Sequence, residues 1–175
     1  MTRLAAHARR LPRARSGAAA VEFALVVPAL LAVATGALDL GYAFYVRLRV
    51  ADATTAAVLY AQLNGPKVTA AEVPAFIATV RAVAAATAAL PQPPDVSVLF
   101  NNAPDASRFA TYFCLSGFPP AWAPVGASAL SCGGSVTGGK FVSVTVTANR
   151  PTLFVRSGLF GALSQTSDRA VARIE

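Results

Sequence analysis

The chain has 175 residues, enough for one domain or at most two, and 55% of them are hydrophobic against 13% charged. That balance fits a membrane or envelope protein. The net charge of +7 does not make it a nucleic-acid binder: Arg3, Arg9, Arg10, Arg13 and Arg15 all precede Gly17, and the remainder is close to balance with no Lys/Arg stripe interleaved with aromatics.

Residues 1–17 are basic, free of acids and interrupted by Pro12, and they read as a disordered leader. Residues 18–38 carry a single charge, Glu22, and as a helix would span roughly 30 Å of hydrocarbon. The arginine-rich leader predicts a cytoplasmic N-terminus, with everything beyond about residue 40 on the far side of the membrane. Arg47 and Arg49 run against that bias, but five arginines before the span outweigh two after it.

Past the span, Val46, Val50, Ala53, Ala57 and Tyr60 alternate steps of four and three, which predicts a helical face continuing to the stop at Asn64-Gly65-Pro66. One helix over 18–63, with its first half in lipid, is the reading; a separate helix after a break at Gly41 is the alternative. Thr69-Ala70-Ala71-Glu72 has the form of a capping box, and Val73, Phe76, Ile77 and Val80 predict a second helix running to Leu90. Pro74 shifts its start to Val73 or Pro74 itself.

Val96, Val98 and Phe100 alternate as in a strand, and residues 109–115 suit another. Residues 116–139, rich in Gly, Pro and Ser, read as a long loop. The clearest strand is 140–148, with Val142, Val144 and Val146 on one face and Ser143, Thr145 and Thr147 on the other. Asn149-Arg150-Pro151 closes it, and the final DRAVARIE suits an edge strand or a short helix. The expected class is α+β: a long N-terminal transmembrane helix, then a small extracytoplasmic domain over 64–175 with one or two helices and a short antiparallel sheet of three or four strands.

Cys114 and Cys132 are the only cysteines, and the lone histidine, His7, lies in the leader, so a Cys–His metal site is excluded and no cofactor is expected. Two cysteines suit a disulfide in an oxidising compartment and two thiols otherwise; the exported topology favours the bridge. Candidate acids (Glu72, Asp95, Asp105, Asp168) and hydroxyls (Ser116, Ser131, Ser135) have no histidine base beside them, leaving only a Ser–Lys pair through Lys67 or Lys140, and a non-enzyme is expected.

Glu22 stands four residues inside the apolar boundary, about 6 Å along a helix, where it costs less than at mid-membrane and is also a tolerable interfacial acid. Cleavage after Gly17 would give it a role. The new α-amine of Ala18 would lie one turn away, and opposite charges 4 Å apart attract by roughly 4 kcal/mol at an effective dielectric of 20. Glu22 would then register a neighbouring helix. Pro28 sits inside the span, either as a harmless bend or as a flexible point.

A basic leader ending in Gly, then an uncharged run with Glu as fifth residue and Phe after it, resembles a type IV prepilin-type signal. The stretches GAAAVEFALVVPALL and GALDLGYAFYVR are similar to the TadE-like pseudopilins of the tight-adherence (Flp) pilus system. The resemblance covers residues 13–60 well, the tail SVTVTA…DRAVARIE loosely and residues 64–139 not at all. It implies a leader removed after Gly17 by a prepilin peptidase, Ala18 as the mature N-terminus, Glu22 and Phe23 in assembly, and 38–47 with Asp39 and Gly41 as the membrane exit. It also implies a minor pilin or pseudopilin in the bacterial inner membrane, with other pilin subunits, the assembly machinery and lipid as partners and no nucleic acid. Two readings compete: a secreted protein cut at Ala32-Val33-Ala34, and a single-pass envelope protein with a non-catalytic interaction domain.

Overall fold

The computed structural model describes residues 16–117, 119–133, 136–150 and 164–175. The arginines before Gly17, His7, Ser135 and Pro151 lie outside the described residues. The first element is α1, Ser16–Asn64, unbroken for 49 residues, which at 1.5 Å per residue is roughly 70 Å. Neither Pro28 nor Gly41 ends it, so the alternative of a second helix after Gly41 does not occur. It stops at Asn64, where Gly65 begins a short 3-10 turn with Pro66.

The two halves of α1 have opposite environments. From Gly17 to Leu38 no residue is buried. From Val46 onward, Val50, Ala53, Ala57 and Ala61 form a fully buried stripe, with Tyr60 packed at its margin. Four of the five positions expected on one face are thus core, and Tyr60 is only partly buried.

Helix α2, Val73–Ala88, lies against the outer half of α1 and against the first strand. Its entry is the expected box: the Glu72 carboxylate accepts from the Thr69 backbone N–H at 2.9 Å and from Thr69 Oγ1 at 2.7 Å. Those bonds hold Glu72 below its ordinary pKa. Val73, Phe76, Ile77, Val80, Ala84 and Ala88 are buried. The helix ends two residues before Leu90 because Ala89 turns left-handed, φ 46° and ψ 40°, a conformation that usually selects glycine.

The strands are β1 (Asp95–Phe100), β2 (Tyr112–Ser116), β3 (Ala121–Gly126), β4 (Phe141–Asn149) and β5 (Gln165–Arg173). They form two antiparallel sheets rather than one. The first has the order β1-β4-β5 and the second is the ribbon β2-β3. One expectation is corrected: the segment 116–139 is not a continuous loop, since Leu115 pairs with Trp122 and Cys114 with Ala123; the flanking Gly and Pro hide a strand that borrows its order from β2. Of the two alternatives for the C-terminal segment, the edge strand is the one observed, paired along its whole length from Phe141↔Arg173 to Asn149↔Gln165.

In β4, Val142, Val144 and Val146 face the helices, with α1 over β4 and β5 and α2 over β1. The opposite face is not wholly wet: Ser143 is buried, and Trp122 of the ribbon stands edge-on to Phe113 and to Phe141, with ring centroids 5.8 and 6.0 Å away. Leaving β1, the chain reverses through Asn101-Asn102, both with φ positive, between mutually hydrogen-bonded Phe100 and Ala103. Two left-handed residues match the strand twist that a tight reversal needs. Asn101 is fully buried: its Nδ2 donates to the carbonyls of Arg108 and Thr111, and its Oδ1 accepts from the N–H of Phe141.

The structure is the expected α+β class, a long apolar helix whose outer half joins a second helix over antiparallel strands.

Candidate assembly face and membrane exit of the first helix

Ala18, Glu22 and Phe23 sit in the first two turns of α1, all exposed, Phe23 at 70%. The i, i+4 spacing puts Ala18 and Glu22 on one face, one turn apart. A side chain added at Gly17 would meet nothing within 4 Å, so packing within this chain does not require glycine there. Around them Val21, Leu25, Val26, Leu30, Leu31 and Val33 are exposed as well. This apolar surface on every side of a helix has no partner within the described chain. The helix is long and apolar enough to cross a bilayer, with mean hydropathy 2.1 over a window of which none is buried. Helix α2 is also apolar enough by composition, but its buried residues belong to the core.

The exit from the apolar stretch is built differently. Asp39 is buried, and the Arg150 guanidinium, itself buried at the end of β4, donates from Nη1 to the Asp39 carbonyl at 3.3 Å. The backbone N–H of Arg150 donates to Ser164 before β5 begins. Thus the end of the sheet is fastened to α1 at Asp39, the first buried residue along the described helix. One turn on, Tyr42 stacks on Tyr45 with centroids 6.3 Å apart. Arg49 donates from Nε to the Tyr45 hydroxyl at 3.2 Å and lies over its ring. That hydrogen bond, with the attraction of the same hydroxyl, raises the Arg49 pKa. The family resemblance drew attention to Asp39, but nothing in the sequence marked its contact with Arg150, because a single arginine at a strand end has no local signal for a contact 111 positions away.

At the other end of the domain Cys114 and Cys132 are bonded, Cα–Cα 5.6 Å, tying β2 to the segment after β3. Three of the candidate catalytic groups are engaged locally: Glu72 caps, Asp105 accepts from the Ser107 N–H, Ser131 Oγ accepts from the Gly133 N–H. Lys140 pairs with Glu175 at 2.6 Å rather than with a serine. Among the described residues there is no group of three or more His, Cys, Asp or Glu able to hold a metal.

The architecture defines a class: a small head domain carried on the outer half of a helix whose inner half is left bare and apolar. Within that class, residues 17–59 match the model of the TadE-like protein family, from the glycine before Ala18 almost to the end of α1. The match covers about a quarter of the chain and points to tight-adherence pilus systems, in which the family is generally non-enzymatic. No curated protein and no solved structure matches the chain.

Proposed function

We propose that the chain is a minor pilin or pseudopilin of a tight-adherence (Flp) pilus system, anchored in the bacterial inner membrane with its N-terminus cytoplasmic and its head outside. A prepilin peptidase cuts after Gly17, and the helix then packs with those of other pilin subunits within the assembly machinery. The observation that carries this reading is the placement of Glu22: a lone carboxylate on a bare apolar helix, one turn from Ala18 on the same face. In lipid such a charge is costly unless paired. The α-amine that cleavage would create at Ala18 is the pair within reach, on its own helix or a neighbour's.

N-terminal sequencing and intact mass of the protein from native membranes test it. A start at Ala18 is expected; an intact Met1 or a start at Thr35 overturns the processing. Gly17 replaced by a bulky residue blocks cleavage. Glu22→Ala leaves insertion and cleavage intact and abolishes most piliation, whereas wild-type piliation from this variant overturns the pairing.

A further inference from the structure

Arg47 is the residue that the topology leaves unexplained. It adds positive charge on the side of the membrane where the positive-inside bias disfavours it, and among the described residues it has no ion pair or hydrogen bond. It lines a groove of about 100 Å³ with Leu40, Phe44, Arg150, Gln165 and Thr166. The groove joins α1 to the start of β5, and the Arg150–Asp39 contact fixes its lower end at the limit of the apolar stretch.

The geometry points to a site for the phosphate of an anionic phospholipid headgroup in this groove, with Arg47 as the phosphate ligand. The inference rests on the membrane-anchored topology proposed above, with the bilayer boundary near Asp39. Arg47 is eight residues beyond Asp39, about 12 Å along the axis. Helical side chains tilt towards the N-terminus, here towards the bilayer, so the long guanidinium stem reaches back to the headgroup layer. Arg150, Gln165 and Thr166 line the facing wall. Arg150 is buried and held by its contact with Asp39, so the exposed Arg47 is the charge that closes on the phosphate. Leu40 and Phe44, exposed at 44% and 56%, lie between the bilayer boundary and Arg47, beside the glycerol region of a lipid. The groove is too small for a whole lipid and suited to a phosphate. A planar guanidinium matches phosphate oxygens in bidentate fashion, and an apolar sill at a membrane surface favours a lipid over a soluble phosphate.

Arg49 is the built-in control, since it carries the same charge two residues on, on nearly the opposite side of α1, and is already bonded to Tyr45. The test is native mass spectrometry of the detergent-solubilised full chain titrated with phosphatidylglycerol, phosphatidylcholine and inorganic phosphate. The wild type is expected to retain phosphatidylglycerol over phosphatidylcholine and to ignore phosphate at equal concentration. Arg47→Gln should lower phosphatidylglycerol retention about tenfold, the order expected for one charge-assisted contact, and Arg49→Gln less than about twofold. Equal losses in the two variants would reduce the effect to general surface charge and overturn the site. Phosphate competing at equal concentration would overturn the lipid assignment. These outcomes do not depend on pili: a chain that fails to assemble but shows the Arg47 pattern sinks the pilin reading alone, and carbonate-extractable protein removes the anchor on which both rest.

Discussion

The side chain of Glu175 is held by two donors, Lys140 Nζ at 2.6 Å and the Tyr112 hydroxyl. Lys140 also lies over the rings of Phe109 and Tyr112, at 4.7 and 5.0 Å, so one cation links the start of β4, the start of β2 and the residues after β5. The hydrogen bond from Lys140, then that from Tyr112, holds the Glu175 carboxyl below its ordinary 4.5, and the same bond to Glu175 raises the Tyr112 hydroxyl. A carboxyl depressed in the folded state stabilises fully above its unfolded pKa and loses that contribution as pH falls through the folded value. Half of the Glu175 side chain is exposed, so screening limits the pair to on the order of 1 kcal/mol. Unfolding of the full chain in detergent, followed through the single tryptophan, Trp122, is expected to show Glu175→Gln less stable at neutral pH. The gap to wild type should close on acidification below pH 4.5. A gap constant from pH 7 to pH 3 would show that the loss is steric. The Asn101 constellation is the other residue-scale keystone, a buried amide serving three segments at once, and its spacing along the chain carries no hint of the role.

At the scale of elements, the helices were largely legible and their ends less so. Amphipathic spacing marked the buried faces of α1 and α2, and Asn64-Gly65-Pro66 marked the stop between them, because those signals act within one or two turns. Gly65 has a further reason that only packing supplies: a Cβ there would lie 2.7 Å from Cγ2 of Ile174. Gly65→Ala therefore forces Ile174, itself buried, out of the core, and is expected to cost about 1–3 kcal/mol. Gly36→Ala in the bare half of α1, where a Cβ meets nothing, is the matched control. Equal stability of the two variants in a Trp122-monitored melt would refute the clash. The end of α2 at Ala89 was not legible, because alanine gives no sign of a left-handed turn. The ribbon strand β3 was missed for a related reason: its Pro and Gly content argues for a loop, and only pairing with β2 overrides it.

For the whole molecule, the ribbon and the sheet are separate strand ladders, joined by Trp122 against Phe141 and by the two backbone hydrogen bonds of the bridge between Phe113 and Gly139. The disulfide braces this less regular end, closing a separation of 18 residues, for which chain entropy alone gives about 3 kcal/mol. Reduction of the full chain should lower its melting temperature while leaving α1 helical by circular dichroism, since α1 does not touch the bridge through sequence or sheet. An unchanged melt would mean that packing of the ribbon suffices without the bond.

By itself the sequence determined the basic N-terminal segment, the apolar stretch with its single carboxylate, the continuation of that helix and the strongest strand, because each is written in charge or periodicity within a few turns of chain. It also carried the Gly17, Ala18, Glu22 and Phe23 pattern on which the proposed processing and assembly rest. Tertiary structure alone decided that the strands divide into two sheets, that Arg150 fastens the head to Asp39 and that Arg47 opens onto a groove with Gln165 and Thr166. The contacts of Arg150 and Arg47 join residues more than a hundred positions apart, where no local preference operates and only the packing of the helix against the far end of the sheet brings them within reach.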